Sequence, residues 1–181
     1  MGLLPASLWV AATWSILAAG FGSLFAFTLS AALLLATRPA RGRALPAGSI
    51  LACGLAGACS YPIWAQFVTT CGSALGWAPR GSVAAPGALE IAALVLVGPA
   101  FEELLYRERL LPALERHAGA GAAVLGSSVV FALPHLDPWS SLAAVCVGPA
   151  LGTLYLATRN VWACTAAHAG LNAAALWATR P

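Results

Sequence analysis

The chain has 181 residues, 60% of them apolar, and carries only nine basic and six acidic side chains, 8% of the total. A soluble domain holds about 25% charge, so this composition, with a mean hydropathy of +0.83, excludes a soluble globular protein, a disordered chain and a nucleic-acid binder with a basic face. At about 20 apolar residues per spanning helix, the length accommodates about six transmembrane helices, an all-α polytopic membrane protein whose surroundings are the lipid bilayer.

No charge precedes Arg38, so the start lacks the basic region of a cleavable signal peptide and reads as a first helix over residues 7–36. Arg38, Arg41 and Arg43 mark the first loop. A second helix is expected over 46–67, followed by a turn-rich stretch through Cys71, Gly72, Gly76, Trp77 and Pro79. Pro86 and Gly87 open a third helix running unbroken to Arg116. At 1.5 Å per residue it is about 45 Å long, against roughly 30 Å of hydrocarbon, so its Arg- and Glu-rich end protrudes. The stretch 117–121 is a turn, a fourth helix reaches His135, and Asp137 with Pro138 turns the chain again. The fifth helix covers 139–158, Arg159 and Asn160 form a tight connection, and the sixth covers 161–179. The chain thus divides into 1–85, two helices and their loops, and 86–181, four helices that carry every motif described below. Seven Arg fall on one side of this arrangement and Arg80 and Arg180 on the other, which puts the seven in the cytoplasm and both ends outside. The five cysteines show no zinc-ligand spacing, and four of them fall within apolar stretches and read as small core residues.

A charge at the bilayer centre costs about 2.5 to 3.5 kcal/mol, so each ionisable group at that depth needs a reason. Glu90, in the first turn of the third helix, is suited to capping it. Glu102 and Glu103 lie near mid-bilayer. Arg107, four residues after Glu103, shares its helix face and can pair with it; Glu102, about 100° round the helix, has no local cation. A carboxylate so held is suited either to proton transfer or to a hydrogen bond with another helix. Counted from a turn centre near residue 118.5, Glu102 and His135 are equidistant, so an antiparallel hairpin brings them to one depth. Phe131 is four residues before His135 and walls the same face. His168 and Asn172 share a face of the sixth helix, whereas His117 lies in a loop and is solvated. Pro99 and Pro134 leave the carbonyls of Val95 and Val130 without helical partners, which membrane depth tolerates only beside protein or a wet cavity.

Glu102-Glu103-Leu-Leu-Tyr-Arg107, Phe131-Ala-Leu-Pro-His135 and His168-Ala-Gly-Leu-Asn172 follow one another on separate apolar helices. In that order they resemble the motifs of the CAAX protease and bacteriocin-processing (CPBP, or Abi) family of intramembrane endopeptidases, over residues 86–177. Glu108 stands where that family often has Gly after the motif Arg. The resemblance implies an active site inside the helix bundle, in which Glu102 activates a water for attack on a peptide carbonyl, His135 positions that water, and His168 with Asn172 stabilises the oxyanion. Glu103, Arg107 and Phe131 would support them. Glutamate chemistry without a cofactor is expected. Zinc, held by Glu102, His135 and His168, is the alternative, although HExxH is absent. The implied substrate is a membrane-tethered protein or peptide. Relatives in that family cleave prenylated CAAX tails, bacteriocin leaders or, in myxosortase-like members, C-terminal sorting tails. A compact bacterial member in the inner membrane, acting on a hydrophobic tail, fits best. Competing classes are a non-catalytic immunity or scaffold protein and a proton-coupled carrier; the second calls for inverted repeats, and none is evident. Asp137 is the only Asp and no GxSG occurs, so aspartyl and serine intramembrane chemistries are set aside.

Overall fold

The computed structural model describes residues 42–78, 86–135 and 137–179, and the expected first helix lies outside them. Among the described residues every regular element is helical. Helix α1 (Ala47–Ala74) and a later helix (Pro138–Thr158) are long and apolar enough to cross a bilayer. The surface is lined with exposed Leu51, Leu55, Ile63, Leu89 and Leu133, while Glu103 and Arg107 are wholly buried. That distribution reverses the soluble pattern and is the one lipid favours. The chain is an all-α integral membrane protein.

Helix α1 runs seven residues beyond the expected end at Phe67. Residues 68–74 contain no proline, and the chain turns only at Gly76, whose φ is 73°. Cys71 and Gly72, expected in the turn, are helical, and Gly72 packs against the Trp139 ring.

The expected third helix is a composite. It begins as α2 (Ala88–Ala92), passes through a π segment (Ala93–Val97), continues as α3 (Gly98–Leu105), passes through a second π segment (Tyr106–Leu110) and enters α4 (Leu111–Ala132). The Gly98 N–H bonds the Ala93 carbonyl and the Leu111 N–H bonds the Tyr106 carbonyl, each five residues back. In both cases the next residue is a proline, Pro99 or Pro112, which has no N–H with which to resume the ordinary register. Within α4, Gly119 has φ 79° and ψ 168°, so this helix is two limbs of a hairpin, bent inside the expected turn. The second limb stops at Ala132, three residues before the expected end at His135. Pro134 cannot continue the helical bonding, and the His135 N–H instead closes a tight turn onto the Ala132 carbonyl at 3.0 Å.

Helices α5 (Pro138–Thr158) and α6 (Val161–Ala178) follow the expected spans closely. Each opens on a side-chain cap: Asp137 Oδ2 accepts from the Ser140 N–H at 2.9 Å, and Asn160 Oδ1 accepts from the Ala163 N–H at 2.9 Å. α6 packs along α1 and also against α3, while α4 packs against α5. The core between them gathers Phe101, Leu104, Leu105, Leu111, Val124, Phe131 and Cys164.

Candidate active site

The third composite helix carries the carboxylates. Near its start, Glu90 Oε2 accepts the Gly87 N–H at 2.8 Å, the capping role expected of it. Between the two π segments, α3 holds Glu102 and Glu103 on adjacent faces. Glu103 and Arg107 lie one turn apart and meet, Arg107 Nε standing 3.4 Å from Glu103 Oε2 with both side chains fully buried. This contact is an ion pair without hydrogen-bond geometry. Arg107 also donates through Nη2 to the Gly148 carbonyl on α5 at 3.4 Å, and its guanidinium lies 4.9 Å from the centre of the Phe131 ring. A guanidinium so held is anchored at three points: carboxylate, carbonyl and aromatic face.

His168, from α6, is the residue that links the two carboxylates. Its Nδ1 is 3.0 Å from Glu103 Oε1, and its Nε2 is 3.7 Å from Glu102 Oε2. Helical spacing pairs Glu103 with Arg107 alone, and the hairpin count levels Glu102 with His135. The first pair forms, and Glu103 takes His168 in addition. Among the described residues no hydrogen bond or ion pair joins Glu102 to His135; the imidazole nearest Glu102 is that of His168. His135 belongs to the same cluster through Phe131. The Phe131 ring makes edge contacts with His135 at 5.4 Å, His168 at 5.7 Å and Tyr106 at 5.3 Å between centroids. Tyr106 and Phe131 are equidistant from the hairpin centre, as Glu102 and His135 are, so this contact has the register the hairpin count implied. His135 Nδ1 faces the Phe131 carbonyl at 3.2 Å, and its own carbonyl accepts from the Ser141 hydroxyl. Phe131 is thus more than a wall: four side chains of the cluster touch its ring.

Access separates the two carboxylates. The Glu102 side chain is 20% exposed, Glu103 is 0% exposed and His168 8%. Glu102 is therefore the carboxylate a water or a substrate can approach.

Asn172 lies one turn beyond His168 on α6, as its spacing predicted, and its Nδ2 donates to the Leu94 carbonyl at 2.8 Å. That acceptor was not foreseen. The ordinary helical register makes Val95 the carbonyl orphaned by Pro99, but the π register moves the orphan to Leu94. The Gly148 carbonyl, which accepts from Arg107, was likewise not among the expected site groups.

A metal fits this donor set poorly. Among the described residues no three His, Cys, Asp or Glu side chains are gathered as ligands, so Glu102, His135 and His168 do not form one set. His168 is also engaged by Glu103 through Nδ1.

A family model described as Rce1-like, type II CAAX prenyl endopeptidase Rce1-like, matches residues 84–174, half of the chain. This span contains Glu102, Glu103, Arg107, Phe131, His135, His168 and Asn172. No curated protein and no solved structure shows a match.

Proposed function

Because the chain belongs to the Rce1-like family of type II CAAX prenyl endopeptidases, and is thereby an intramembrane protease acting on a membrane-associated protein, we propose that it hydrolyses its peptide bond with Glu102 as the general base. Glu102 takes a proton from water as the water oxygen bonds to the scissile carbonyl carbon. The oxyanion that forms accepts hydrogen bonds from His168 and Asn172. Collapse breaks the C–N bond, and Glu102 returns the proton to the departing amine. His135 orients the water from the far edge of Phe131, while Glu103 and Arg107 hold His168 from behind. One observation carries the assignment: of two adjacent carboxylates, only Glu102 combines exposure with an imidazole nitrogen, His168 Nε2, at 3.7 Å.

Hydrolysis on this proposal uses neither a metal nor a cofactor. The substrate we favour is a protein's hydrophobic C-terminal tail, in the inner membrane of a bacterium, with the enzyme crossing that membrane several times. The apolar exterior of α1 and α5 supports a place in a membrane.

The test compares purified wild type with Glu102→Ala and His168→Ala on three membrane-tethered reporters: a prenylated CAAX tail, a leader peptide and a hydrophobic sorting tail. We expect cleavage of at least one reporter, lost by a factor of 100 or more on the order of an essential general base in Glu102→Ala. Unchanged processing in both variants overturns the mechanism. Activity that disappears on chelation and returns with zinc overturns the metal-free part alone.

A further inference from the structure

We infer that the first π segment is a positioning device for Asn172, with Gly98 and Pro99 as the residues that make it one. This rests on the reading above, in which the Asn172 amide serves the oxyanion.

A backbone carbonyl inside a helix normally accepts the N–H four residues later, so it is unavailable to a neighbouring helix. Leu94 is freed by two residues acting together. Gly98, whose N–H would close the ordinary bond onto Leu94, bonds Ala93 instead. It can do so because it has no side chain: a Cβ at position 98 would stand 2.7 Å from the Ala93 oxygen. In this shifted register the next residue faces Leu94, and that residue is Pro99, which has no N–H to offer. Leu94 therefore presents an unclaimed carbonyl at membrane depth, where such a group requires a partner. The partner is Asn172 Nδ2, at 2.8 Å.

An amide nitrogen has two hydrogens. With one fixed on Leu94, the planar side chain can no longer rotate freely, and the second hydrogen has a set direction. A donor of this kind stabilises an oxyanion without reorganising during the reaction. Gly98 and Pro99 touch no reacting atom; they act through Leu94 and Asn172.

Two substitutions test this by different routes. Pro99→Ala restores an N–H that competes for the Leu94 carbonyl in the π register. Gly98→Ala pushes the backbone toward the α register, in which the residue-98 N–H takes that carbonyl. Asn160 and Asn172 are the only asparagines in the chain, so protein labelled with ¹⁵N-asparagine gives two side-chain amide signals in micelles. Asn160 donates to the Arg43 carbonyl at 2.6 Å and serves as the internal control. Both variants are expected to shift the Asn172 signal and leave that of Asn160 in place. On the reporter best cleaved by wild type, each lowers kcat about tenfold, part of the loss that removing an oxyanion donor outright causes, with KM unchanged. Neither is expected to slow the enzyme further when combined with Asn172→Ala. An unmoved Asn172 signal in folded Pro99→Ala and Gly98→Ala overturns the inference, as do effects that multiply with that of Asn172→Ala. Should neither variant fold, wild type still decides: an Asn172 amide signal with the temperature dependence of a free amide overturns the inference. If Asn172→Ala itself keeps the wild-type kcat while the signals shift as expected, the oxyanion role fails and the positioning of Asn172 stands.

Discussion

Glu102 and Glu103 have the same side chain and adjoin in sequence, yet their surroundings divide their work. Glu103 is closed off between Arg107 and His168, at 3.4 and 3.0 Å, and serves as the fixed negative charge that keeps the guanidinium and the imidazole in register. Removing one member of a buried pair leaves the other charged and uncompensated, at a cost of about 3 to 5 kcal/mol. Glu103→Gln should therefore lower the thermal unfolding temperature in detergent by several degrees, whereas Glu102→Gln, altering the more exposed carboxylate, should leave it within a degree or two of wild type and abolish turnover. The reverse ranking would contradict the assignment of the two roles. The Glu103–Arg107 pair was legible in the sequence because it is local, set by helical periodicity within one element. The contact between Glu102 and His168 was not, because it spans 66 residues and depends on which face α6 turns toward α3. Hairpin counting related Glu102 to His135 by depth alone and carried no information about a third helix entering from the far end of the chain.

The same contrast holds for whole helices. The hydrophobic runs located α5 and α6 and the turn at Gly119, since each rests on composition and on residues with fixed backbone preferences. What they missed were the two π segments, which leave an apolar run unchanged in composition. A signal was present: Pro99 and Pro112 each stand two residues beyond a π segment, and Pro99 lies inside a run too apolar to be a loop. Close helix contact was also unpredicted, although its cause is visible in small residues. A Cβ on Gly57 would overlap the Ala167 carbonyl oxygen, and one on Gly170 would overlap that of Gly54, so α1 and α6 approach backbone to backbone. In lipid, association of helices depends on such packing because hydrophobic burial contributes little. Gly57→Val forces the two apart. Overpacking typically costs about 1 to 3 kcal/mol, and here it moves the helix that holds His168 and Asn172. The expected result is a lowered unfolding temperature together with a lower kcat, although position 57 is outside the motifs. A variant that loses stability but retains full kcat would show that α6 keeps its position without α1.

At the scale of the molecule, the connections are tied together at one end. Arg159 adopts a left-handed conformation, φ 50° and ψ 34°, which costs a non-glycine residue about 1 kcal/mol or more. Its bonds explain why it is held there. The Arg159 guanidinium donates twice to Glu115, both at 2.7 Å, and its carbonyl accepts the Arg43 N–H at 3.0 Å. Asn160 Nδ2 adds a bond to the Arg43 carbonyl at 2.6 Å. The loop before α1, the hairpin of α4 and the turn between α5 and α6 thus meet in one knot, outside the hydrocarbon. The hydrogen bonds from Arg159 hold the Glu115 carboxyl below its usual range. A carboxylate depressed in the folded state contributes stability above its unfolded pKa, about 4.3, and that contribution is lost as pH falls through the lower folded value. The Arg159 side chain is 45% exposed, so screening keeps the contribution below about 1 kcal/mol. Wild type should therefore exceed Glu115→Gln in unfolding temperature by a small, constant margin above about pH 5, and this margin should shrink toward zero as pH falls below about 4. It should also shrink on raising salt to about 1 M, where the Debye length is near 3 Å. No margin at any pH or salt concentration would mean that the Glu115–Arg159 pair contributes nothing and the knot is held by its bonds to Arg43.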